Sequence, residues 1–177
     1  GPLDRIRQRC SIAVGDFAMA DLMRFHGDPV KAGLSALKNR STIYTDIRMV
    51  QTGIQKKGHF SEVKCILDTP FTPDSTGKTR TSLALMALGK QLDGSIIVIG
   101  NAPSALLALC DLIKKGTIPA LVIGIPVGFV NAAESKELLR TLDIPSISNE
   151  GTRGGTPVAV AAMNEIITMF AEEYGTG

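Results

Sequence analysis

The chain has 177 residues, 44% of them apolar and 20% charged, with a formal charge of +2. That length can bury a sizeable core in a single domain, 1–177, and its scattered lysines and arginines form no basic stripe for nucleic acid. A membrane span needs ~20 apolar residues, whereas the longest run, from Ile118 to Val130, is cut by Pro119, Gly124, Pro126 and Gly128.

Asp4 to Cys10 and Phe17 to Arg24 read as short helical pieces around a Gly15-Asp16 break. Asp28-Pro29 is a helix start, with Asp28 as cap and Pro29 at the first position, and the helix continues to Asn39. Thr42 to Thr45 reads as a strand, Ile47 to Gln55 as a helix and Val63 to Leu67 as a strand. Thr69 to Lys78, rich in Pro, Thr, Ser and Gly, is expected to be a mobile loop and a candidate lid. A helix from Arg80 to Leu92 follows. The second half alternates strand Ile96 to Ile99, helix Ala102 to Lys114, strand Ala120 to Ile123 and helix Ala132 to Leu142. A brief strand around Ile147 and a helix from Thr156 towards Glu173 complete it. Alternating units with near-continuous apolar strands predict an α/β fold, three-layered and flavodoxin-like, with a mainly parallel five-stranded sheet and helices on both faces.

Three Gly-rich turns each join an apolar run to a helix: Val98-Ile-Gly-Asn-Ala-Pro-Ser-Ala-Leu106, Gly124-Ile-Pro-Val-Gly128 and Glu150-Gly-Thr-Arg-Gly-Gly-Thr156. Open α/β sheets bind ligands at such turns, and N–H groups at helix starts favour anions. GxGxxG and GxxxxGK[ST] are absent, so dinucleotide and P-loop chemistry lack their fingerprints. Arg153, among glycines, is free to meet a carboxylate or phosphate, or is simply a solvated loop arginine. Arg80 opposes the dipole at its helix start, which an anion would relieve. Glu134 and Asp46 are explained equally well as helix-start residues, and Asp46 and Arg48 lie at the carboxyl edge of the sheet. His26 and His59 read as surface residues without metal spacing. Cys10, Cys65 and Cys110 form no CxxC, so neither disulfide nor zinc site is expected; reduced thiols and a start without a signal-peptide pattern suggest a cytoplasmic protein.

Gly100-Asn-Ala-Pro-Ser-Ala-Leu106, Ile125-Pro-Val-Gly-Phe-Val-Asn-Ala-Ala-Glu-Ser-Lys136, Gly151-Thr-Arg-Gly-Gly-Thr156 and Ala161-Ala-Met-Asn164 resemble the signature blocks of precorrin-8X methylmutases. Asp46-Ile-Arg-Met-Val-Gln-Thr-Gly-Ile54 and Thr79-Arg80 match in the same order, so the resemblance runs from about Arg9 to Asn164. It implies an isomerase of cobalamin biosynthesis that shifts a methyl group from C11 to C12 of a corrin precursor, precorrin-8X or cobalt-precorrin-8. It further implies no cofactor or metal and a homodimer with the pocket near the subunit interface. Substrate contacts would come from Arg9, Gly15, Asp46, Arg48, Arg80, Asn101, Ser104, Glu134, Ser135 and Arg153. The arginines suit the carboxylates of the tetrapyrrole, and the glycines leave clearance for a flat ring.

The chain departs from the family at one catalytic position. The family motif Arg-x-x-His-x-x-Gly carries the histidine held to exchange a ring proton, and here Arg9-Cys-Ser-Ile-Ala-Val-Gly15 places Ile12 there. The resemblance also leads to the expectation of a further segment before this motif, either cut away from the given sequence or missing in a shortened member. Either the role is dispensable, because a sigmatropic shift moves electrons within the substrate, or His26, Cys10 or Ser11 assumes it. The alternative to a methylmutase is a catalytically impaired protein that binds a tetrapyrrole; a small-anion enzyme on the same scaffold is a third, weaker fit.

Overall fold

The computed structural model describes residues 1–175, and its centre is a six-stranded sheet. The strands are β1 (Met23–His26), β2 (Ile43–Thr45), β3 (Val63–Cys65), β4 (Ile96–Ile99), β5 (Leu121–Gly124) and β6 (Ser146–Asn149), ordered β1-β6-β5-β4-β2-β3. All neighbours are parallel except β1 against β6. Taken alone, the five parallel strands follow the 2-1-3-4-5 order of doubly wound sheets, with the switch point between β2 and β4.

Among the described residues, eight α-helices cover the sheet: α1 (Pro2–Val14), α2 (Ala18–Leu22), α3 (Pro29–Lys38), α4 (Arg48–Gly53), α5 (Arg80–Leu88), α6 (Pro103–Lys114), α7 (Ala132–Thr141) and α8 (Thr156–Tyr174). Period-two alternation divides the strands between two cores. Ile96, Val98, Leu121 and Ile123 pack with residues of α1, α3, α4 and α8, while Ile97, Ile99 and Val122 pack with α5, α6 and α7. Both faces are therefore apolar, which is why the central strands read as unbroken hydrophobic runs.

The expected five strands become six because Met23–His26 forms an edge strand where the helical pattern from Phe17 to Arg24 was expected to continue. Only Ala18–Leu22 is helical; Met23 then pairs with Asn149, and the antiparallel ladder overrides the local pattern. α1 exceeds its expected length because it lies antiparallel along α8, with Arg5 reaching Glu165 and the Cys10 thiol donating to the Val158 carbonyl. Asp28 precedes α3 as expected, but in left-handed conformation and without a side-chain cap; its carbonyl accepts the Ala32 N–H instead. His59 is buried, contrary to the surface expectation. Its Nδ1 accepts the Ser61 N–H at 3.1 Å, so Nε2 carries the proton and donates to the Gln55 carbonyl at 2.8 Å. Cys10, Cys65 and Cys110 are buried free thiols.

Candidate active site

Parallel strands bring every strand-to-helix turn to one edge, and Asp46 organises the first of them. It follows β2 and is fully buried; Oδ1 accepts the Gly100 N–H at 3.0 Å, and Oδ2 accepts those of Asn101 and Ala102 at 3.0 and 2.9 Å. The anion at the start of α6 is thus the protein's own carboxylate. Asp46 does not cap α4, whose N-cap is Ile47, and its oxygens are committed to the turn instead of facing a ligand. Burial pushes its carboxyl upward, while the three N–H groups pull it back. Gly100 serves close packing here: a Cβ would lie 2.8 Å from Val50 Cγ2 and 3.1 Å from Thr156 Cα, so the start of α8 could not approach.

The other two Gly-rich turns lock onto each other. Gly154, at φ 151°, passes so close that a Cβ would sit 2.7 Å from the Ile125 carbonyl oxygen. Gly155 N–H donates to Ile125 O at 2.9 Å, and Gly128 N–H to Thr152 O at 3.1 Å. Lys136, fully buried, donates to Arg153 O at 2.7 Å and Asn149 Oδ1 at 3.1 Å, and Asn149 Nδ2 donates to the same carbonyl at 2.7 Å. Desolvation, helped by Arg140, brings the Lys136 ammonium down to about 8. The sequence signal for it was a lysine in the first turn of α7, against the dipole.

Arg153 is not free as expected: its Nη2 lies 2.9 Å from Asp16 Oδ2, tying the third turn to the one between α1 and α2. Phe17, next to Asp16 in sequence, and Phe129, next to Gly128 of the second turn, are 90% and 94% exposed, and Val127 of that turn is exposed as well. Nothing in the local sequence of either aromatic singles it out, so both were missed. Gly15 closes α1 in left-handed conformation beside Asp16.

The remaining candidates are dispersed. Ile12 is 60% exposed in a groove of about 370 Å³ shared with Arg9, Gln55, Asn164 and Glu165. Arg9 pairs with Glu165 at 3.2 Å, and Arg48 forms a two-pronged pair with Asp68, so both are engaged internally. Ser135 is buried and donates to Ala132 O, which leaves it no access to a ligand. Ser104 meets Thr79, the N-cap of α5, at 3.1 Å. Arg80, Asn101 and Glu134 are exposed at the same edge, and Arg80 has no ion-pair partner among the described residues. The substitutes for the missing histidine fare poorly. His26 pairs with Ser146 at the opposite edge of the sheet, and burial pushes the Cys10 thiol up to about 12.

The profile of the precorrin-8X methylmutase family matches residues 2–169. The chain belongs to this family. It is 42% identical over 168 residues to the cobalt-precorrin-8 methylmutase of Priestia megaterium, covering 91% of this chain and 75% of that one. The corresponding protein of Methanocaldococcus jannaschii is 41% identical, covering 95% and 80%. Among solved structures, the precorrin-8X methylmutase of Thermus thermophilus superposes with a TM-score of 0.89 at 37% identity, covering 98% of this chain and 87% of that one. The α/β fold, with its six-stranded and mostly parallel sheet flanked by helices, is thus like that of precorrin-8X methylmutase structures. No helix among the described residues is long and apolar enough to cross a membrane.

Proposed function

We propose that the chain binds precorrin-8X or cobalt-precorrin-8 at the carboxyl edge of the sheet and isomerises it by moving a methyl group from C11 to C12. The bond from C11 to the methyl carbon breaks as the bond to C12 forms, so substrate and product are isomers and no net proton, oxidant or reductant is required. The observation that carries this reading is the convergence of three Gly-rich turns beside an arginine whose backbone is clamped by a buried lysine. Phe17 and Phe129 offer apolar faces for a flat ring, and Arg153 and Arg80 offer charge to its carboxylates. The homodimer that the family resemblance implies belongs to this reading, and analytical ultracentrifugation checks it.

Ile12 favours a second reading, a corrinoid-binding protein without turnover. Ile12 exchanges no proton, and the nearest carboxyl in its groove, Glu165, is held by Arg5 and Arg9. In the first reading, catalysis rests on binding one tautomer in a shape that favours the shift. Incubation with precorrin-8X, followed by its visible spectrum, separates the two. The expected result is slow conversion, raised about 10²-fold or more by Ile12→His, the range of a general acid. Binding without any spectral change, in the wild type and in Ile12→His alike, would refute the methylmutase reading; failure to bind would refute both.

A further inference from the structure

Arg153 already holds a carboxylate. Its guanidinium pairs with Asp16, and both side chains remain more than 40% exposed, so solvent and a ligand can reach the pair. Its backbone cannot follow the side chain, because Lys136 and Asn149 fix the carbonyl. Asp16 is similarly divided: Oδ1 accepts the Ala18 N–H at 2.9 Å while Oδ2 faces Arg153. The Ala18 N–H first, and Arg153 next, hold its carboxyl below the usual range, so it is an anion at neutral pH.

We propose that Asp16 is a resident competitor for the substrate carboxylate at Arg153. This rests on the reading that Arg153 receives the tetrapyrrole. The ion pair is the ligand-free state; an arriving side-chain carboxylate takes Oδ2's place, and the turn carrying Gly15, Asp16 and Phe17 is released from the third Gly-rich turn. Specificity follows, because only a ligand with a carboxylate at that place on the ring repays the broken pair. An amidated or esterified ring offers no anion to take Oδ2's place and binds around the intact pair.

The test uses hydrogenobyrinate, the cobalt-free product that the family resemblance implies for the methyl shift, and the same ring with its carboxylates esterified, in equilibrium titrations of the full chain. Asp16→Asn keeps the acceptor for Ala18 but removes the charge. Exposed pairs are weak, so the expected change is a two- to fivefold lower Kd for the acid, about what such a pair contributes, with the ester unchanged. In the Arg153→Ala background Asp16→Asn should change nothing. Asp21→Asn, which removes an exposed charge in α2 outside the three turns, should leave Kd unaltered. Equal tightening by Asp21→Asn, or weaker or unchanged binding by Asp16→Asn, would overturn the proposal while leaving the substrate assignment intact. If Arg153→Ala alone leaves acid binding unchanged, the arginine's assignment falls and the competitor with it.

Discussion

Asp46→Asn tests how the frame of the site is held. The carboxylate takes one N–H on Oδ1 and two on Oδ2, an arrangement that only the ionised group satisfies fully. An asparagine can keep the pair of bonds to Asn101 and Ala102 with its oxygen, but it then sets an NH2 group 3.0 Å from the Gly100 N–H, donor against donor. Losing one charge-assisted bond in a fully buried setting and stranding its donor amounts to about 2–4 kcal/mol. Asp46→Ala strands all three donors and opens a small cavity, for about 3–5 kcal/mol. Urea denaturation at pH 7 reads both as lower midpoints with an unchanged slope. If burial kept the carboxyl neutral at that pH, asparagine would be a near-perfect replacement; a variant within about 0.5 kcal/mol of wild type would refute the three-donor account.

Gly100→Ala forces a methyl group to within 2.8 Å of Val50 Cγ2, and overpacking of that kind should lower stability by about 1–3 kcal/mol, seen as a lower Tm. Lys136 sits near 8 in the folded chain against an ordinary 10.5, so between those values the unfolded chain holds more protons and folding stability rises with pH. Lys136→Met should remove that rise; a wild type and variant whose urea midpoints run parallel from pH 7.5 to 9.5 would refute it. Cys10 and Cys110 are buried and pushed up to about 12 and 11, and Cys65 is buried as well. Native protein should therefore react with a thiol reagent orders of magnitude more slowly than urea-unfolded protein, and rapid labelling at pH 8 would contradict the packing.

Strands β2, β4 and β5 and their following turns are legible because β-branched runs buried on both faces leave a local trace, and glycines punctuate them. β1 leaves none: Met23 and Arg24 end the helical pattern that begins at Phe17, and only β6, more than a hundred residues away, makes Met23 to His26 a strand. The same distance hides the partners of the site. Arg153 sits among glycines and looks unattached, yet its carboxylate comes from the turn after α1. Asp46 looks like a helix cap because caps are local, whereas its three donors lie some fifty-five residues on. Lys136 resembles any surface lysine of a helix start until the third Gly-rich turn folds over it. What was legible is what neighbours in sequence decide; what was not is a set of polar side chains satisfied from across the sheet.

The Asp46 bridge also constrains the order in which the molecule assembles. β2 and β4 are adjacent in the sheet, but β3, the loop after it and α5 lie between them along the chain. Closing that loop is a non-local event that precedes any reward from contacts, so it belongs among the slow steps. Until it happens, Gly100, Asn101 and Ala102 have no acceptor for their N–H groups and the first turn has no fixed shape. A partly folded chain therefore offers no half-built pocket to a reactive tetrapyrrole: the ring meets either an open chain or the finished edge.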